Sequence, residues 1–135
     1  MLAGKLAKID LNEGRIDLDP ISRATLRGYL GGRGLNMRLL FPWLNKPGDP
    51  FDSRSPIALS PGLMCGIPSL GSRLSISARS PETGYLGDAN MGGELGAELK
   101  TSGIDSLLIS GRSNRPVYLW VHDQTVEIRD ACKLW

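Results

Sequence analysis

Apolar and polar residues alternate along the first twenty residues of the chain. The apolar positions recur at every second residue on both sides of an Asn12-Glu13-Gly14 turn: Ala7, Ile9, Leu11, Ile16 and Leu18. A period of two is that of a strand with one buried face. Two such runs joined by a short turn that contains glycine predict a β-hairpin over residues 4–19.

The apolar spacing then changes to that of a helix. Pro20 ends the alternation, and Ser22 is a favoured N-cap residue for a helix that runs to Leu30. A second helix is predicted over residues 35–41, and it is expected to stop at Pro42 because proline lacks a backbone donor.

A glycine-rich run, Gly31-Gly32-Arg33-Gly34, separates the two predicted helices. A dinucleotide-binding loop has the form G-x-G-x-x-G and follows a strand. Here the third glycine would fall at Met37, and a helix precedes the run. The run therefore favours a helix C-cap and a helix restart over a phosphate-binding loop.

Prolines recur through residues 42–56, which are predicted to form an ordered surface loop. Its apolar anchors are expected to be Trp43, Leu44 and Phe51. A short buried strand is predicted next, over residues 57–60. Residues 63–70 follow as an irregular loop that suits the wall of a pocket, and Cys65 within it is expected to be a buried, inert thiol.

Residues 71–100 carry the densest set of motifs. Three apolar residues alternate with polar ones at the start, which predicts a half-buried strand: Leu74, Ile76 and Ala78 against Ser75, Ser77 and Arg79. A turn over residues 80–84 leads to Asn90-Met91-Gly92-Gly93, and from there a helix is predicted over residues 94–100.

The glycines at this predicted helix start suit an anion. Unpaired N–H groups lie at the positive end of a helix dipole, and Gly92 and Gly93 would let a phosphate approach the backbone closely. Arg73, one strand earlier, adds a guanidinium whose fork matches a phosphate. The alternative is that the glycines form only a turn or a packing contact.

The last part of the chain is predicted to be mostly strand. Residues 104–109 form one apolar run, and a second strand begins at Val117. This second strand is apolar on both faces, so we expect both faces to be covered. A turn over residues 122–125 leads into a final strand, and His122 at that turn is expected to be a solvated surface residue.

These elements predict a single α+β domain over residues 1–135, with mixed or antiparallel sheets and flanking helices. Seventeen glycines agree with a chain rich in turns. A net charge of +2 without a basic run argues against a nucleic-acid partner. No apolar run of membrane-spanning length and no signal peptide is apparent, so a cytoplasmic location without membrane contact is expected.

The sequence contains no self-contained catalytic motif, and we predict no catalytic residue. His122 has no Ser or Cys partner in a motif context, and no Walker-A, zincin or EF-hand string occurs. Cys65 and Cys132 are far apart, which indicates neither a zinc site nor a disulfide framework.

The whole string of motifs resembles the amino-terminal domain of the aldehyde ferredoxin oxidoreductases, which are tungsten or molybdenum enzymes with a bis-pterin cofactor. The motifs are Gly-x-Arg, Ser-Pro-x-Thr-Gly, Ala-Asn-x-Gly-Gly-x-x-Gly-Ala-x-Leu-Lys and Gly-x-Asp, and they fall between residues 71 and 105. The resemblance covers nearly the entire chain. It implies that the α+β fold is part of a layered α/β/β/α domain.

The resemblance also implies roles for individual residues. Arg73 matches the arginine of Gly-x-Arg and is expected to contact the pterin or its phosphate. Asn90 is expected to contact the cofactor on the side of a magnesium that bridges the two pterin phosphates, and is a tentative ligand of that ion. Gly92 and Gly93 are expected to contact the cofactor through the backbone. The glycine-rich segment near Gly31 could support the cofactor without an assigned contact.

The implied reaction is oxidation of an aldehyde to a carboxylate, with electrons passing through a [4Fe–4S] cluster to ferredoxin. The family's second pterin loop and its cluster cysteines are absent from this sequence. We therefore expect an amino-terminal portion that needs further domains or a partner subunit and is inactive alone. Alternatives are a non-catalytic module that binds a phosphate ligand or aids assembly, and a truncated remnant. Self-association is also expected, through the apolar strand at residues 117–121.

Overall fold

The computed structural model describes residues 4–67 and 71–135, which form eight strands and three helices. In chain order these are β1 Lys5–Asp10, β2 Arg15–Pro20, α1 Arg23–Tyr29, α2 Gly32–Leu44, β3 Ile57–Pro61, β4 Leu74–Arg79, β5 Leu86–Met91, α3 Leu95–Thr101, β6 Ser106–Ser110, β7 Val117–His122 and β8 Thr125–Asp130. Residues 68–70 of the predicted irregular loop lie outside the described residues. None of the three helices is long and apolar enough to span a membrane.

Six strands form one mixed sheet in the order β2-β1-β6-β3-β4-β5, and β7 and β8 form a separate hairpin. Every pairing is antiparallel except that of β1 with β6. Both predicted hairpins are confirmed, and so is the α+β fold class with its mixed sheet. The β1–β6 pair joins residues about one hundred positions apart, such as Leu6 with Ser106.

Apolar layers cover both faces of the sheet. Towards α1 and α2 the buried cluster is Leu6, Leu40, Ala58 and Leu108. Towards α3 and the β7–β8 hairpin it is Ala7, Ile9, Leu74, Leu99, Ile104, Leu107 and Val126. Because consecutive residues of a strand point to opposite faces, Leu107 and Leu108 of β6 each enter a different cluster.

The Gly103-Ile104-Asp105 motif has a structural role in this sheet. The Asp105 side chain is buried, and its Oδ2 accepts hydrogen bonds from the backbone N–H groups of Gly4 and Lys5. The Asp105 N–H donates to the Lys5 carbonyl over 2.9 Å. These contacts attach the start of β1 to the segment that leads into β6.

The prediction that the second helix ends at Pro42 is wrong, because α2 continues to Leu44. A proline this close to the end of a helix removes one hydrogen bond and leaves the earlier ladder intact. The last turn is held from outside. The Arg79 guanidinium donates to the carbonyl of Trp43, and to that of Lys46 over 2.7 Å.

The prediction that β7 is covered on both faces is also wrong. Tyr118 and Trp120 on its outer face are 37% and 43% exposed. The Arg129 guanidinium stacks over the Trp120 ring, 4.4 Å from the ring centroid. A large aromatic side chain can remain half in water when a cation covers part of it.

The loop after α2 has fewer apolar anchors than expected. Phe51 is 81% exposed and anchors nothing. Carboxylates organise the loop instead, since Asp49 Oδ1 accepts from the Phe51 N–H over 2.9 Å and Asp52 Oδ1 accepts from the Arg54 N–H over 2.8 Å. Cys65 is buried, as predicted.

Candidate functional site

Three of the predicted cofactor residues come together where β4 begins and β5 ends. The two strands pair with Leu74 opposite Met91 and Ser75 opposite Asn90, so Arg73 and Gly92 are the next pair along. The Arg73 Nη1 atom lies 3.8 Å from the position that a Cβ on Gly92 would occupy. The side chain of Arg73 and the bare backbone of Gly92 therefore share one end of the edge strand.

The Arg73 guanidinium has no carboxylate partner within residues 4–67 and 71–135. The eight ion pairs of these residues do not include it. Its side chain is exposed. An exposed guanidinium beside a glycine backbone fits a phosphate, which takes a bidentate arginine contact and can approach closely where no Cβ intervenes.

Asn90 lies in β5, one residue before the end of that strand at Met91. Its exposed side chain accepts a hydrogen bond at Oδ1 from Ser75 Oγ over 3.1 Å. A carbonyl oxygen has a second lone pair, so Oδ1 retains one acceptor position. Gly93 supplies the turn after β5, with φ +92°, a conformation that glycine adopts without steric cost.

The start of α3 does not supply the expected anion site. α3 has only seven residues, its N-cap is Glu94, and Glu98 occupies its first turn. Carboxylates at these positions repel an anion. The dipole of α3 therefore does not provide the anion site that was predicted at this helix start.

The first turn of α2 lies beside the site instead, and it belongs to the glycine-rich segment for which the resemblance implied a supporting role without an assigned contact. A Cβ on Gly32 would lie 3.5 Å from Ser75 Oγ, the group that bonds Asn90. This helix has thirteen residues and no acidic residue in its first turn. The pair of glycines before a helix, with no carboxylate following, is the signal that could have indicated this position.

The polar side of β4 is buried, contrary to the predicted half-exposed strand. Ser75 and Ser77 are 7% and 1% exposed because α2 packs over them. Asn36 of α2 donates from Nδ2 to the Ser75 carbonyl over 3.0 Å and to Ser77 Oγ over 2.9 Å. Alternation of apolar and polar residues therefore marks two buried faces here, one of them polar.

A second contact links α2 to the edge strand. Ser77 Oγ donates to Asp88 Oδ1 over 2.7 Å, and Arg33 Nε lies 3.5 Å from Asp88 Oδ2. The Asp88 side chain is only 12% exposed, whereas that of Arg33 is 68% exposed. Sequence analysis gave Asp88 no role, and it interpreted the glycine-rich run that contains Arg33 as a helix C-cap and a helix restart.

The described residues contain no group of three or more His, Cys, Asp or Glu side chains that could hold a metal ion. A magnesium ion at Asn90 would therefore need oxygen ligands from the cofactor itself. The donors present are a guanidinium, an amide and glycine backbone, which fit a phosphorylated cofactor. They include no nucleophile or acid–base pair.

Fold and site together define the class: an α+β domain whose sheet edge suits a phosphorylated ligand. The chain belongs to the family of the aldehyde ferredoxin oxidoreductase N-terminal domain, whose family model matches residues 6–135. The family resemblance drawn from the motifs is thereby confirmed.

Curated relatives match over nearly the whole chain. It is 37% identical over 133 residues to a tungsten-containing aldehyde ferredoxin oxidoreductase of Pyrococcus abyssi, and 35% identical to one of Thermococcus kodakarensis. It is 36% identical over 135 residues to the WOR-like subunit of an aliphatic sulfonate oxidoreductase of Pyrococcus furiosus. Each match covers 98% of this chain and 22% of the relative, so the chain spans about a fifth of the length of these proteins.

A solved structure supports the same fold assignment. The chain matches the active site complex BamBC of benzoyl coenzyme A reductase, in complex with 1,5-dienoyl-CoA, with a TM-score of 0.89 and 33% identity. The match covers 98% of this chain and 20% of the solved chain. The arrangement of strands and helices is therefore that of a domain within a larger oxidoreductase.

Proposed function

We propose that this domain holds part of a tungsten- or molybdenum-bis-pterin cofactor within an aldehyde:ferredoxin-type oxidoreductase. The observation that carries the proposal is the pairing of an exposed Arg73 guanidinium with the Gly92 backbone, 3.8 Å from the position of a Cβ there. The names of the relatives supply the cofactor class, since several are tungsten-containing enzymes.

In this proposal the residues of the chain bind and orient the cofactor. Arg73 donates to a pterin phosphate, and Gly92 and Gly93 leave the backbone open to it. Asn90 contributes an oxygen on the magnesium side. When bound, the cofactor supplies the two-electron redox chemistry.

The rest of the reaction belongs to other parts of the protein. Electrons would pass to ferredoxin through an iron–sulfur cluster, whose ligands we assign to further domains or a partner subunit. The chain's share of about a fifth of its relatives supports such a division. Relatives with different names, an aliphatic sulfonate oxidoreductase among them, support placing substrate choice outside this domain.

The test is cofactor content in the full-length protein, produced with any partner subunit. Arg73→Ala should lower bound tungsten or molybdenum, and pterin fluorescence after oxidation, by tenfold or more, since a charge-assisted phosphate contact contributes about 1.5–3 kcal/mol. Arg112→Ala is the matched control. Because β4 and β6 run in the same direction, Arg112, which follows β6, lies at the opposite end of the sheet from Arg73. Wild-type cofactor content in Arg73→Ala would overturn the proposal.

A second candidate is a non-catalytic module that binds another phosphate ligand. It is favoured by the exposed Arg73 guanidinium beside the Gly92 backbone, which would suit a phosphate group of any ligand. Inorganic phosphate would then raise the melting temperature of wild type but not of Arg73→Ala, and no pterin would co-purify. If neither Arg73→Ala nor Asn90→Ala changed ligand-dependent stability, the chain would be a structural remnant.

A further inference from the structure

A chain of buried hydrogen bonds runs beneath the site, between α2 and the sheet. Its members are Asn36, Ser60, Ser75, Ser77 and Ser106, none more than 7% exposed. Asn36 is the centre, because its Oδ1 accepts from Ser60 Oγ over 2.6 Å while its Nδ2 donates to β4. Ser60 Oγ in turn lies 2.8 Å from Ser106 Oγ. The network thus crosses from β6 through β3 to β4.

The network ends on the exposed edge strand β5. Ser75 Oγ donates to Asn90 Oδ1 over 3.1 Å, and Ser77 Oγ donates to Asp88 Oδ1 over 2.7 Å. Among the strands that the structure describes, β5 has one hydrogen-bonded neighbour, β4, and lies at the edge of the sheet. Ser75 holds the side chain of Asn90, and Ser77 together with Arg33 holds that of Asp88.

Packing alone does not account for polar side chains here. Burying an amide and several hydroxyls gains little over apolar residues even when every group is bonded. The other half of the same interface is apolar, with Leu40 of α2 packed in one cluster with Ala58 and Leu108. Ser60 lies opposite Ser75, and Ser75 lies opposite Asn90, so one polar row leads across the sheet to the candidate site, whereas Ser77 lies in a neighbouring row opposite Ala58.

We propose that Ser75 and Ser77 are positioning residues and that Asn36 supports them, by donating to the backbone carbonyl of Ser75 and to Ser77 Oγ. Asn36 fixes the beginning of α2 against β4, and the two serines hold Asn90 and Asp88 in one orientation at the cofactor edge. The expected consequence, tighter retention of a phosphorylated cofactor, rests on the proposed function. The hydrogen-bonded geometry that it describes is independent of which cofactor is bound.

The test compares two buried serines of the same network in the full-length protein. Ser75→Ala removes the bond to Asn90, whereas the control Ser106→Ala removes a hydroxyl of similar burial that touches only β3. Hydrogen exchange of the peptide that covers residues 86–93 should be about tenfold faster in Ser75→Ala, because one lost hydrogen bond changes an opening equilibrium by about that factor. In Ser106→Ala the exchange rate of this peptide should match that of wild type, even if the melting temperature of the variant falls.

Cofactor retention is the second readout. Ser75→Ala should lose pterin severalfold faster than Ser106→Ala during prolonged dialysis at equal folded fraction. Equal exchange of residues 86–93 in the two variants, or equal loss of pterin, would overturn the inference. Unchanged pterin content in Arg73→Ala would instead overturn the proposed function. Hydrogen exchange of residues 86–93 in Ser75→Ala would still test whether Ser75 holds Asn90 in place. Should Ser75→Ala fold poorly, Ser77→Ala gives the same comparison through Asp88.

Discussion

Two arginines on the same side of β4 have different surroundings. The guanidinium of Arg79 donates to three backbone carbonyls, including that of Gly84 over 2.9 Å. The guanidinium of Arg73, six residues earlier, has no carboxylate partner in the part of the chain that the structure describes. Arg79 is thus a structural residue, whereas the side chain of Arg73 is exposed, as the proposed contact with a ligand requires.

This contrast gives a prediction about stability. Arg79→Ala should lower the free energy of unfolding by roughly 1–3 kcal/mol, because it leaves the carbonyls of Trp43, Lys46 and Gly84 without their charged donor. Urea denaturation measures the change. Arg73→Ala is the control and should stay within about 0.5 kcal/mol of wild type. Equal losses in the two variants would contradict the assigned roles.

Asp52 gives a prediction about titration. The Arg54 side chain, through its hydrogen bond, lowers the pKa of Asp52 from 3.8 to about 2. The backbone N–H of Arg54 contributes as well. Since the folded pKa is lowered, any stabilisation from this pair is present above pH 3.8 and is lost as the pH falls towards 2.

In Arg54→Ala the pKa of Asp52 should rise only part of the way to 3.8, because the backbone N–H of residue 54 still donates. Carboxyl chemical shifts followed by NMR between pH 1.5 and about 6 measure it. A pKa that stays at about 2 in the variant would show that the arginine side chain is not the cause.

The sequence motifs indicated the candidate site residues, but no motif indicated the buried residues that hold them in place. Arg73, Asn90 and Gly92 stand in one motif-rich stretch, and their candidate roles followed from the motifs. Asn36 bonds groups 39 and 41 positions away, and no local pattern indicates such a contact. Buried polar networks depend on which strands become neighbours, and that is decided by the tertiary fold.

At the scale of the elements, the junction between α1 and α2 depends on Gly31. Its backbone has φ +83° and ψ −170°, a region that is almost restricted to glycine. A Cβ there would lie 2.7 Å from the Pro61 carbonyl oxygen. The junction can therefore pack against the end of β3 only if residue 31 has no side chain.

Gly31→Ala should lower the free energy of unfolding by about 2–4 kcal/mol, from backbone strain together with the clash at Pro61. Gly14→Ala is the matched control. It also has a positive φ, +64°, but nothing lies within 4 Å of its added Cβ. It should cost about 1 kcal/mol. Thermal or urea unfolding compares the two, and equal losses would mean that the contact with Pro61 is unimportant.

Elements with local signals were predicted correctly. Ser22 caps α1 by accepting from the Thr25 N–H over 3.1 Å, as its residue type indicated. The end of α2 was predicted wrongly because the residue that bonds the Trp43 carbonyl in its last turn, Arg79, lies 36 positions away in the sequence. The prediction for the outer face of β7 was wrong because apolar composition alone does not show whether an aromatic side chain is buried in the core or lies half exposed beneath a cation.

At the scale of the whole molecule, the outer face of β7 is an exposed apolar surface. The self-association expected from the sequence stays a prediction, now placed on the aromatic pair Tyr118 and Trp120. Light scattering of the 135-residue chain should give a mass that rises with concentration, and Trp120→Glu should reduce the rise. Phe51→Glu changes an equally apolar, more exposed residue elsewhere and should not. A constant monomer mass for wild type would contradict the prediction.

The order of the strands was beyond sequence reasoning. The hydrophobic pattern predicts that β1, β3 and β6 exist, β1 from alternation and the other two from short apolar runs, but it does not indicate that β6 lies between the other two. The pairing of β1 with β6 closes a loop of about one hundred residues, and only the completed core stabilises it.

The central position of β6 has a consequence for how this chain is made. Two separate pieces, β1–β2 and β3–β5, are synthesised before the strand that joins them, which ends at Ser110. On the ribosome, the nascent chain must therefore keep two incomplete sheets with unpaired edges until residue 110 has emerged. Slow translation just before this point would lengthen the exposure of those edges, and chaperone demand should peak there.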